Sequence, residues 1–246
     1  MKENFFAAMA PEYARFRPRY PDELFAFLAS VAPGRVLAWD CATGSGQAAQ
    51  GLARHFERVV ATDSSDELLA LAPPLTNVAY RRADALESGL ETGSVDLVTV
   101  ANAMHWFHGP GFEREVRRVL RPRGVVAAWC YACAQITPAI DRLTRRLHDE
   151  IVDPFWIEPN RIVERGYRDL HFPYEPIAAP PIAMTGRLDL AQFEGLVRTW
   201  SASRKYQQHH GVDPVSLVHD EFSVAWGDPA QPREVTWQLS LRVGRV

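Results

Sequence analysis

Short apolar runs alternate with amphipathic stretches along the first half of the chain. Strands are predicted at positions 36–39, 59–61, 77–82, 95–100 and 125–129. Between the first two, Ala49, Leu52, Ala53 and Phe56 recur at helical spacing. The repeated alternation of strand and helix predicts an α/β fold with a doubly wound, mainly parallel sheet.

The C-terminal half predicts helices followed by one clearly patterned strand. An amphipathic helix follows Pro138, and the capping-box pair Asp189 and Gln192 starts another that continues through Trp200. At positions 235–243 apolar and polar residues alternate strictly, which predicts a half-buried strand. We expect this last strand to be antiparallel, because a short hairpin-like connection would lead into it.

Residues 35–63 are the best-defined unit: a strand, a glycine-bearing turn, a helix and a second strand. Gly44 and Gly46 let the backbone of the turn pass close to a ligand, because neither has a Cβ. Asp63 ends the second strand, where a carboxylate can accept hydrogen bonds from both hydroxyls of a ribose. The unit therefore predicts a site for an adenosine-type ligand at the carboxyl ends of the strands.

Asp40, directly before the turn, bears on which ligand that is. A nicotinamide dinucleotide would lay its pyrophosphate over the turn, and a carboxylate there would repel it. A ligand with an ammonium and a sulfonium would be attracted, which favours S-adenosyl-L-methionine. The letters GSGQAA also fit the loose dinucleotide pattern G-x-G-x-x-A, and Asp40 could instead cap a turn, so both alternatives stay open.

The segment DCATGSGQ resembles the D-x-G-x-G-x-G motif of class I S-adenosylmethionine-dependent methyltransferases. Further motifs follow in the expected order: YARFRPRYP near the start, ATD at Asp63, RADAL at Asp84, ANAMHWF at His105 and TWSASRKY at Trp200. Most of the chain resembles the small-molecule, type 11-like branch that includes trans-aconitate-type and farnesoic-acid-type methyltransferases. One departure is Ala42 in place of the first glycine; its methyl group costs little at a negative φ but can narrow the methionine pocket.

The resemblance implies a Rossmann-like single domain with S-adenosyl-L-methionine as cofactor. Its implied ligands are Tyr13, Arg17, Asp40, Ala42, Thr43, Gly44, Gly46, Asp63, Ser64, Asp84, Ala85, Asn102 and Ala103. Tyr13 and Arg17 lie in an N-terminal arm that either covers the cofactor or simply packs on the domain. Asp84 either reaches the adenine amine, as the family implies, or caps a turn.

The domain divides into three parts on this interpretation. Residues 1–34 are the arm and first helix, and residues 35–136 are the cofactor-binding core. Residues 137–246 are a helical substrate cover and the final strands of the same domain.

His105 and Trp106 are the predicted catalytic residues. Their loop follows the fourth strand, beside the topological switch point between the first and fourth strands, so it should face the reactive end of the cofactor. His105 could act as a general base or could orient Trp106, whose ring face suits a sulfonium. Methyl transfer from a sulfonium needs neither a metal nor a covalent intermediate, because placement in line supplies most of the catalysis.

The acceptor is predicted to be a small molecule, with methylation at an oxygen of a carboxylate. A carboxylate is ionised at neutral pH and needs no base, whereas a hydroxyl or an amine often needs proton removal. A carboxylate acceptor requires cations, and the candidates are Arg17, Arg198, Arg204 and Lys205, although surface arginines are common. Trp200 is a further substrate-binding candidate, with a plain core aromatic as the alternative.

Composition narrows the class of partner. The 246 residues carry a formal net charge of −3 with a pI near 6.2, which gives no electrostatic case for nucleic acid. No apolar run reaches membrane-spanning length, and the N-terminus shows no signal peptide. Three cysteines argue against a disulfide framework, so Cys130 and Cys133 are expected to be ordinary thiols in a reducing cytoplasm.

Three functional hypotheses follow from these patterns. The first is a methyltransferase that acts on a small molecule, by O-methylation of a carboxylate. The second is an NAD(P)-dependent oxidoreductase, against which Asp40 and the lack of a Tyr-x-x-x-Lys pair argue. The third is a cofactor-binding module without catalysis, which Ala42 makes conceivable.

Overall fold

A computed structural model describes residues 19–131 and 133–246. Two predicted cofactor contacts, Tyr13 and Arg17, lie outside the described residues. The helices are α1 Asp22–Val31, α2 Gln47–Leu52, α3 Asp66–Leu69, α4 Pro110–Val119, α5 Pro138–Arg146, α6 Glu158–Glu164, α7 Leu190–Arg198, α8 Ser201–His210 and α9 His219–Trp226. The strands are β1 Leu37–Cys41, β2 Arg58–Asp63, β3 Val78–Arg82, β4 Val95–Ala101, β5 Leu120–Tyr131, β6 Glu175–Pro176, β7 Ala183–Leu188 and β8 Arg233–Arg245.

One sheet with the order β3-β2-β1-β4-β5-β8-β6 organises the described residues, and β7 pairs with β8. Strands β1 to β5 are parallel, and β8 runs antiparallel to β5. The α/β class, the mainly parallel sheet and the antiparallel last strand are therefore confirmed. The order reverses between β1 and β4, which places the switch point at the predicted position.

The centre of the sheet is buried on both faces, as a doubly wound sheet requires. All five residues of β1 are buried, and alternate residues point to opposite layers. Trp39 packs in the layer that contains α4, whereas Ala38 packs in the layer of α1 and α2. A third apolar cluster joins α5, α7 and α9 to β7 and β8 and forms the cover beyond the sheet.

Local capping sets several helix starts. The Ser65 hydroxyl accepts a hydrogen bond from the N–H of Leu68 at the start of α3. Asp189 and Gln192 form the predicted capping box at the start of α7. These caps are readable from the sequence because each depends on residues three positions apart.

Two details of the prediction were wrong. Trp200 does not continue α7, because that helix ends at Arg198 and Trp200 precedes α8 in an extended conformation. The last strand is not reached by a short hairpin, since its antiparallel partners β5 and β7 are separated from it by helices. No helix within the described ranges is long and apolar enough to cross a membrane.

Candidate active site

Among the described residues, a large cavity of about 1070 Å³ runs from the carboxyl ends of β1, β2 and β4 to helices α5, α6 and α8. Ligand pockets are commonly about 300–1,000 Å³, so this volume lies at the upper end of the usual range. The sheet end is lined by the turn after β1 and the loop after β4. The opposite end is lined by aromatic and charged side chains of the cover, so the two halves differ in chemistry.

Asp63 is the anchor of the sheet end. Its side chain lines the cavity although only 8% of the residue is exposed. One carboxylate oxygen accepts the N–H of Gly44 at 2.8 Å and the other accepts the N–H of Ser65 at 3.0 Å. Each oxygen keeps a further lone pair for a ligand hydroxyl. The carboxylate can therefore hold the turn and receive a ribose at the same time.

The turn after β1 has a left-handed backbone at three residues. The φ angles are 55° at Ala42, 56° at Gly44 and 78° at Gly46. Ala42 and Gly44 line the cavity, whereas Gly46 is not among the described residues that do so. A Cβ at Gly46 would lie 2.7 Å from the Tyr80 hydroxyl. Gly46 therefore packs closely against Tyr80, and its contact with the cofactor stays a prediction.

Ala42 is strained, because a left-handed backbone brings its Cβ too close to the following carbonyl. We expect Ala42→Gly to raise the free energy of unfolding by about 0.5–1 kcal/mol, since relief of strain exceeds the entropy gained by the unfolded chain. Chemical denaturation measures this change. Ala53→Gly is the matched control at a φ of −58°, and it should instead lose about 0.5–1 kcal/mol. A loss of stability in both variants would contradict the expectation.

Asp40 does not face the cavity. The carboxylate is completely buried, and it accepts hydrogen bonds from the hydroxyls of Thr43 at 2.5 Å and Thr99 at 2.9 Å. Asp40 pairs with Thr99 in the register of β1 and β4, and it shares the strand face of Ala38, under α2. The predicted contact between Asp40 and the cofactor is corrected accordingly: the carboxylate supports the turn from the interior.

Burial raises the pKa of Asp40 to about 6, from 3.8 in an unfolded chain, despite the two threonine hydroxyls. The folded state then holds a proton that the unfolded state releases, so ionisation costs stability as the pH rises through this window. We expect Asp40→Asn to gain stability over the wild type as the pH rises from 4 to 8. At 1.36 kcal/mol per pH unit, the upper limit is about 3 kcal/mol.

Urea denaturation at pH 4 and at pH 8 measures this effect. Asp96→Asn is the matched control, because the buried Asp96 carboxylate pairs with Arg121 at 2.7 Å. That variant should lose stability at pH 8, since it removes one partner of an ion pair. An Asp40→Asn protein that is equally destabilised at both pH values would contradict the interpretation.

Other predicted cofactor residues occupy the same wall. Ser64, Asp84, Asn102 and Ala103 line the cavity, as does Thr43. The Oδ1 atom of Asn102 is buried without a hydrogen-bond partner among the described residues, so the wall presents an unsatisfied acceptor.

Two of the remaining predictions need qualification. Asp84 accepts the N–H of Leu86 at 2.8 Å, so the turn-capping role exists alongside its place on the wall. Ala85 packs against the apolar core and is not among the described lining residues, so its contact with the cofactor stays a prediction.

His105 and Trp106 both line the cavity, in a short 3₁₀ helix after β4. Their ring centroids are 4.9 Å apart, so the histidine lies against the tryptophan as the orienting alternative requires. Burial, and secondarily the nearby His108, lowers the pKa of His105 to about 4. The imidazole is neutral at pH 7, and the Tyr167 hydroxyl lies 2.9 Å from its Nδ1 atom.

The cover half contains a cluster of aromatic rings. Trp200 lines the cavity with Trp156, whose ring centroid is 6.0 Å away. The ring of His148 stands edge-on to Trp200 at 5.3 Å. Trp200 therefore lies where an acceptor could contact it, rather than on the apolar stripe of α7.

The arginines predicted to hold the acceptor are Arg17, which lies outside the described residues, and Arg198 and Arg204. Arg198 bonds Asp213 at 2.7 Å and Glu194 at 3.2 Å, and neither it nor Arg204 is among the described lining residues. Substrate binding by these two arginines therefore stays a prediction. The Lys and Arg residues that line the cavity in the described part of the chain are Lys205, which the sequence suggests, and Arg145, which it does not.

Sequence reasoning missed Arg145, Tyr167 and the His148 cluster. Arg145 sits near the end of α5, and nothing in its spacing distinguishes it from other surface arginines. The ion pair between Arg198 and Glu194, by contrast, was predictable from the sequence, because Glu194 lies four residues before Arg198 on the same helix.

Comparisons with known proteins place this geometry in context. Residues 39–128 match the family described as methyltransferase domain. A Dictyostelium discoideum protein, provisionally described as a methyltransferase, is 32% identical over 228 residues, which cover 91% of this chain and 87% of that protein. An uncharacterised methyltransferase from Mycobacterium tuberculosis is 38% identical over 120 residues, 48% of this chain and 49% of that protein. A solved structure from Anaeromyxobacter dehalogenans, provisionally described as a type II methyltransferase, has a TM-score of 0.89 and 41% identity, covering 94% of this chain and 98% of that one.

Proposed function

The chain belongs to the class I S-adenosylmethionine-dependent methyltransferases, and we propose that it methylates an oxygen of a small, largely apolar carboxylic acid. The family establishes the enzyme class, the cofactor and the fold. The identity of the acceptor is our proposal, and it rests on the chemistry of the cover half of the cavity.

The charges of the cover half support an anionic acceptor. Arg145 and Lys205 line the cavity, and no described carboxylate forms an ion pair with either. Three described acids also line this half, and each has a contact within the protein. Asp141 accepts the N–H of Ile136 at 2.8 Å, and Asp149 lies 2.6 Å from Nδ1 of His148. Glu164 pairs with Arg161 at 3.5 Å through one oxygen, whereas its buried Oε1 atom has no hydrogen-bond partner among the described residues. The proposal rests on these two cations, which have no ion-pair partner among the described residues and lie in a part of the cavity that aromatic rings also line.

The sheet half fits the cofactor. Asp63 offers lone pairs to a ribose, and the buried Asn102 Oδ1 offers an acceptor to a donor such as an ammonium. When bound, S-adenosyl-L-methionine would supply a sulfonium methyl group: attack of a carboxylate oxygen on the methyl carbon would break the carbon–sulfur bond and give a methyl ester and a thioether, without transfer of a proton. The chain then has to hold the acceptor, exclude water and present its oxygen to the methyl group.

The neutral His105 agrees with an acceptor that needs no deprotonation. An imidazole with a pKa of about 4 is a weak base for a hydroxyl or an ammonium. A carboxylate is already ionised at pH 7. The histidine is therefore free to bind or orient the acceptor.

The test is a methyl-transfer screen with matched acids and amines. Octanoate, 3-phenylpropionate and trans-aconitate are compared with octylamine and 3-phenylpropylamine, and products are identified by mass spectrometry. We expect methyl esters, which dilute alkali cleaves, whereas N-methyl products resist it. N-methylation of the amines without any ester would refute the acceptor class. Tight binding of S-adenosylhomocysteine without any transfer would instead support the non-catalytic module.

We also propose a cytoplasmic enzyme that acts on a free small molecule. Cys41, Cys130 and Cys133 are free thiols, and burial raises the pKa of Cys130 and Cys133 to about 12. Such thiols are poor nucleophiles, which fits the prediction of ordinary cysteines.

A further inference from the structure

The His105–Tyr167 hydrogen bond joins the loop after β4 to the segment that follows α6. Tyr167 is completely buried and follows α6, 62 residues along the chain from His105. Its hydroxyl lies 2.9 Å from the Nδ1 atom of the imidazole. No described residue bonds the other ring nitrogen, Nε2, and His105 lines the cavity. Nε2 is therefore the nitrogen available to a ligand.

The backbone at Tyr167, which places the phenol beside His105, is strained. Tyr167 has a φ of 58° and Gly166 a φ of 63°, and a non-glycine residue in the left-handed region persists only where its surroundings hold it. The Arg242 guanidinium holds this segment by donating to the carbonyls of Tyr167 at 2.9 Å and Leu170 at 2.6 Å. A Cβ at Gly166 would lie 2.6 Å from the Ser240 hydroxyl, so β8 also packs tightly against the turn.

The hydrogen bond is possible with either neutral tautomer of the imidazole, since a phenol can donate to Nδ1 or accept from it. A neutral imidazole carries one proton, so a ring nitrogen that accepts a hydrogen bond leaves the proton on the other nitrogen. A phenol donates readily to an unprotonated imidazole nitrogen. When Tyr167 donates to Nδ1, the proton resides on Nε2, and the cavity receives a hydrogen-bond donor instead of a base.

We propose that Tyr167 is a positioning residue that holds His105 as a neutral Nε2–H donor for the carboxylate of the acceptor. This inference rests on the proposed function for the identity of the acceptor, but the tautomer does not depend on it. Together with Arg145 and Lys205, the donor would orient a carboxylate so that one oxygen faces the methyl group.

The donor should act on binding more than on rate. The carboxylate loses negative charge as the ester forms, so a hydrogen bond to it is at least as strong before the transfer as during it. Removal of such an interaction raises KM and leaves kcat nearly unchanged. A general base would show the opposite pattern, with a fall of about 10²–10⁴-fold in kcat.

Four variants assayed with 3-phenylpropionate separate these roles. We expect His105→Ala to raise KM by roughly 10- to 100-fold, and His105→Gln to recover most of that loss, because an amide can donate but cannot serve as a base. Tyr167→Phe should raise KM by roughly 2- to 10-fold. Tyr174→Phe is the matched control, since that buried hydroxyl has no partner among the described residues, and its kinetics should not change.

The ring ¹⁵N shifts of His105 test the tautomer directly, in protein saturated with S-adenosylhomocysteine and without acceptor. His105→Gln assigns the signals by their loss. We expect a protonated Nε2 and an unprotonated Nδ1 in the wild type and in Tyr174→Phe, and a mixture of tautomers in Tyr167→Phe.

A protonated Nδ1 in the wild type would overturn the inference, as would a fall in kcat that His105→Gln does not recover. If 3-phenylpropionate and the other acids are not methylated, the proposed acceptor class fails. The nitrogen shifts then still decide whether Tyr167 controls the imidazole.

Discussion

Asp63→Ala should weaken the binding of S-adenosylhomocysteine by at least about 100-fold, because hydrogen bonds to a charged group are worth about 1.5–3 kcal/mol each. The carboxylate serves two purposes at once: its oxygens accept the N–H groups of Gly44 and Ser65, and each keeps a lone pair for a ribose hydroxyl. Its removal takes away the ligand's acceptor and also releases the turn. Isothermal titration calorimetry measures the loss.

Asp63→Asn should fall between the wild type and the alanine variant, since an amide keeps one acceptor oxygen. Asp66→Ala is the matched control, because Asp66 is exposed and pairs with the exposed Arg82 at 3.1 Å, an interaction of little value. Unchanged affinity in Asp63→Ala, with the fold intact by circular dichroism, would show that the adenosine binds elsewhere.

Replacement of Arg145 and Lys205 together by alanine should raise KM for 3-phenylpropionate by about 10- to 100-fold. Both cations line the cover half of the cavity. The kcat should change little, because the anchors hold the acceptor equally before and during transfer. Steady-state kinetics with S-adenosyl-L-methionine at saturation measures both constants.

Arg198→Ala is the informative control for this pair. Its guanidinium bonds Glu194 and Asp213 and lies outside the described lining of the cavity, so KM should stay within about twofold of the wild type. A larger rise in KM from Arg198→Ala than from the double variant would support Arg198 as the acceptor-binding residue, as the sequence predicted, and would contradict the proposed role of Arg145 and Lys205.

The sequence indicated the correct family, although it placed the Asp40 carboxylate beside the ligand. In the structure this carboxylate lies in the interior, where it accepts hydrogen bonds from Thr43 and Thr99. Successive side chains of a strand point to opposite faces, so the Asp40 side chain points to the same face of β1 as Ala38, towards the layer of α1 and α2. The family assignment rests on the relatives and on the site around Asp63.

Local and periodic features were predictable from the sequence alone. The strand–helix alternation, the capping box of α7 and the alternating last strand each depend on residues a few positions apart. The glycine-bearing turn and the acid that ends β2 were also readable, because backbone conformation and strand ends constrain the residue type.

The sequence by itself therefore determined the βαβ unit, the place of Asp63 and the end of the sheet at which the cavity lies. Only the tertiary structure decided that Asp40 points inward, that Arg145 rather than Arg198 lines the cavity, and that Tyr167 reaches His105. These outcomes depend on contacts between residues far apart in the chain. The direction of each side chain is set by its own element: the face of β1 for Asp40, the end of α5 for Arg145 and the strained turn after α6 for Tyr167. No short-range pattern encodes such contacts, because each requires two elements to be packed first.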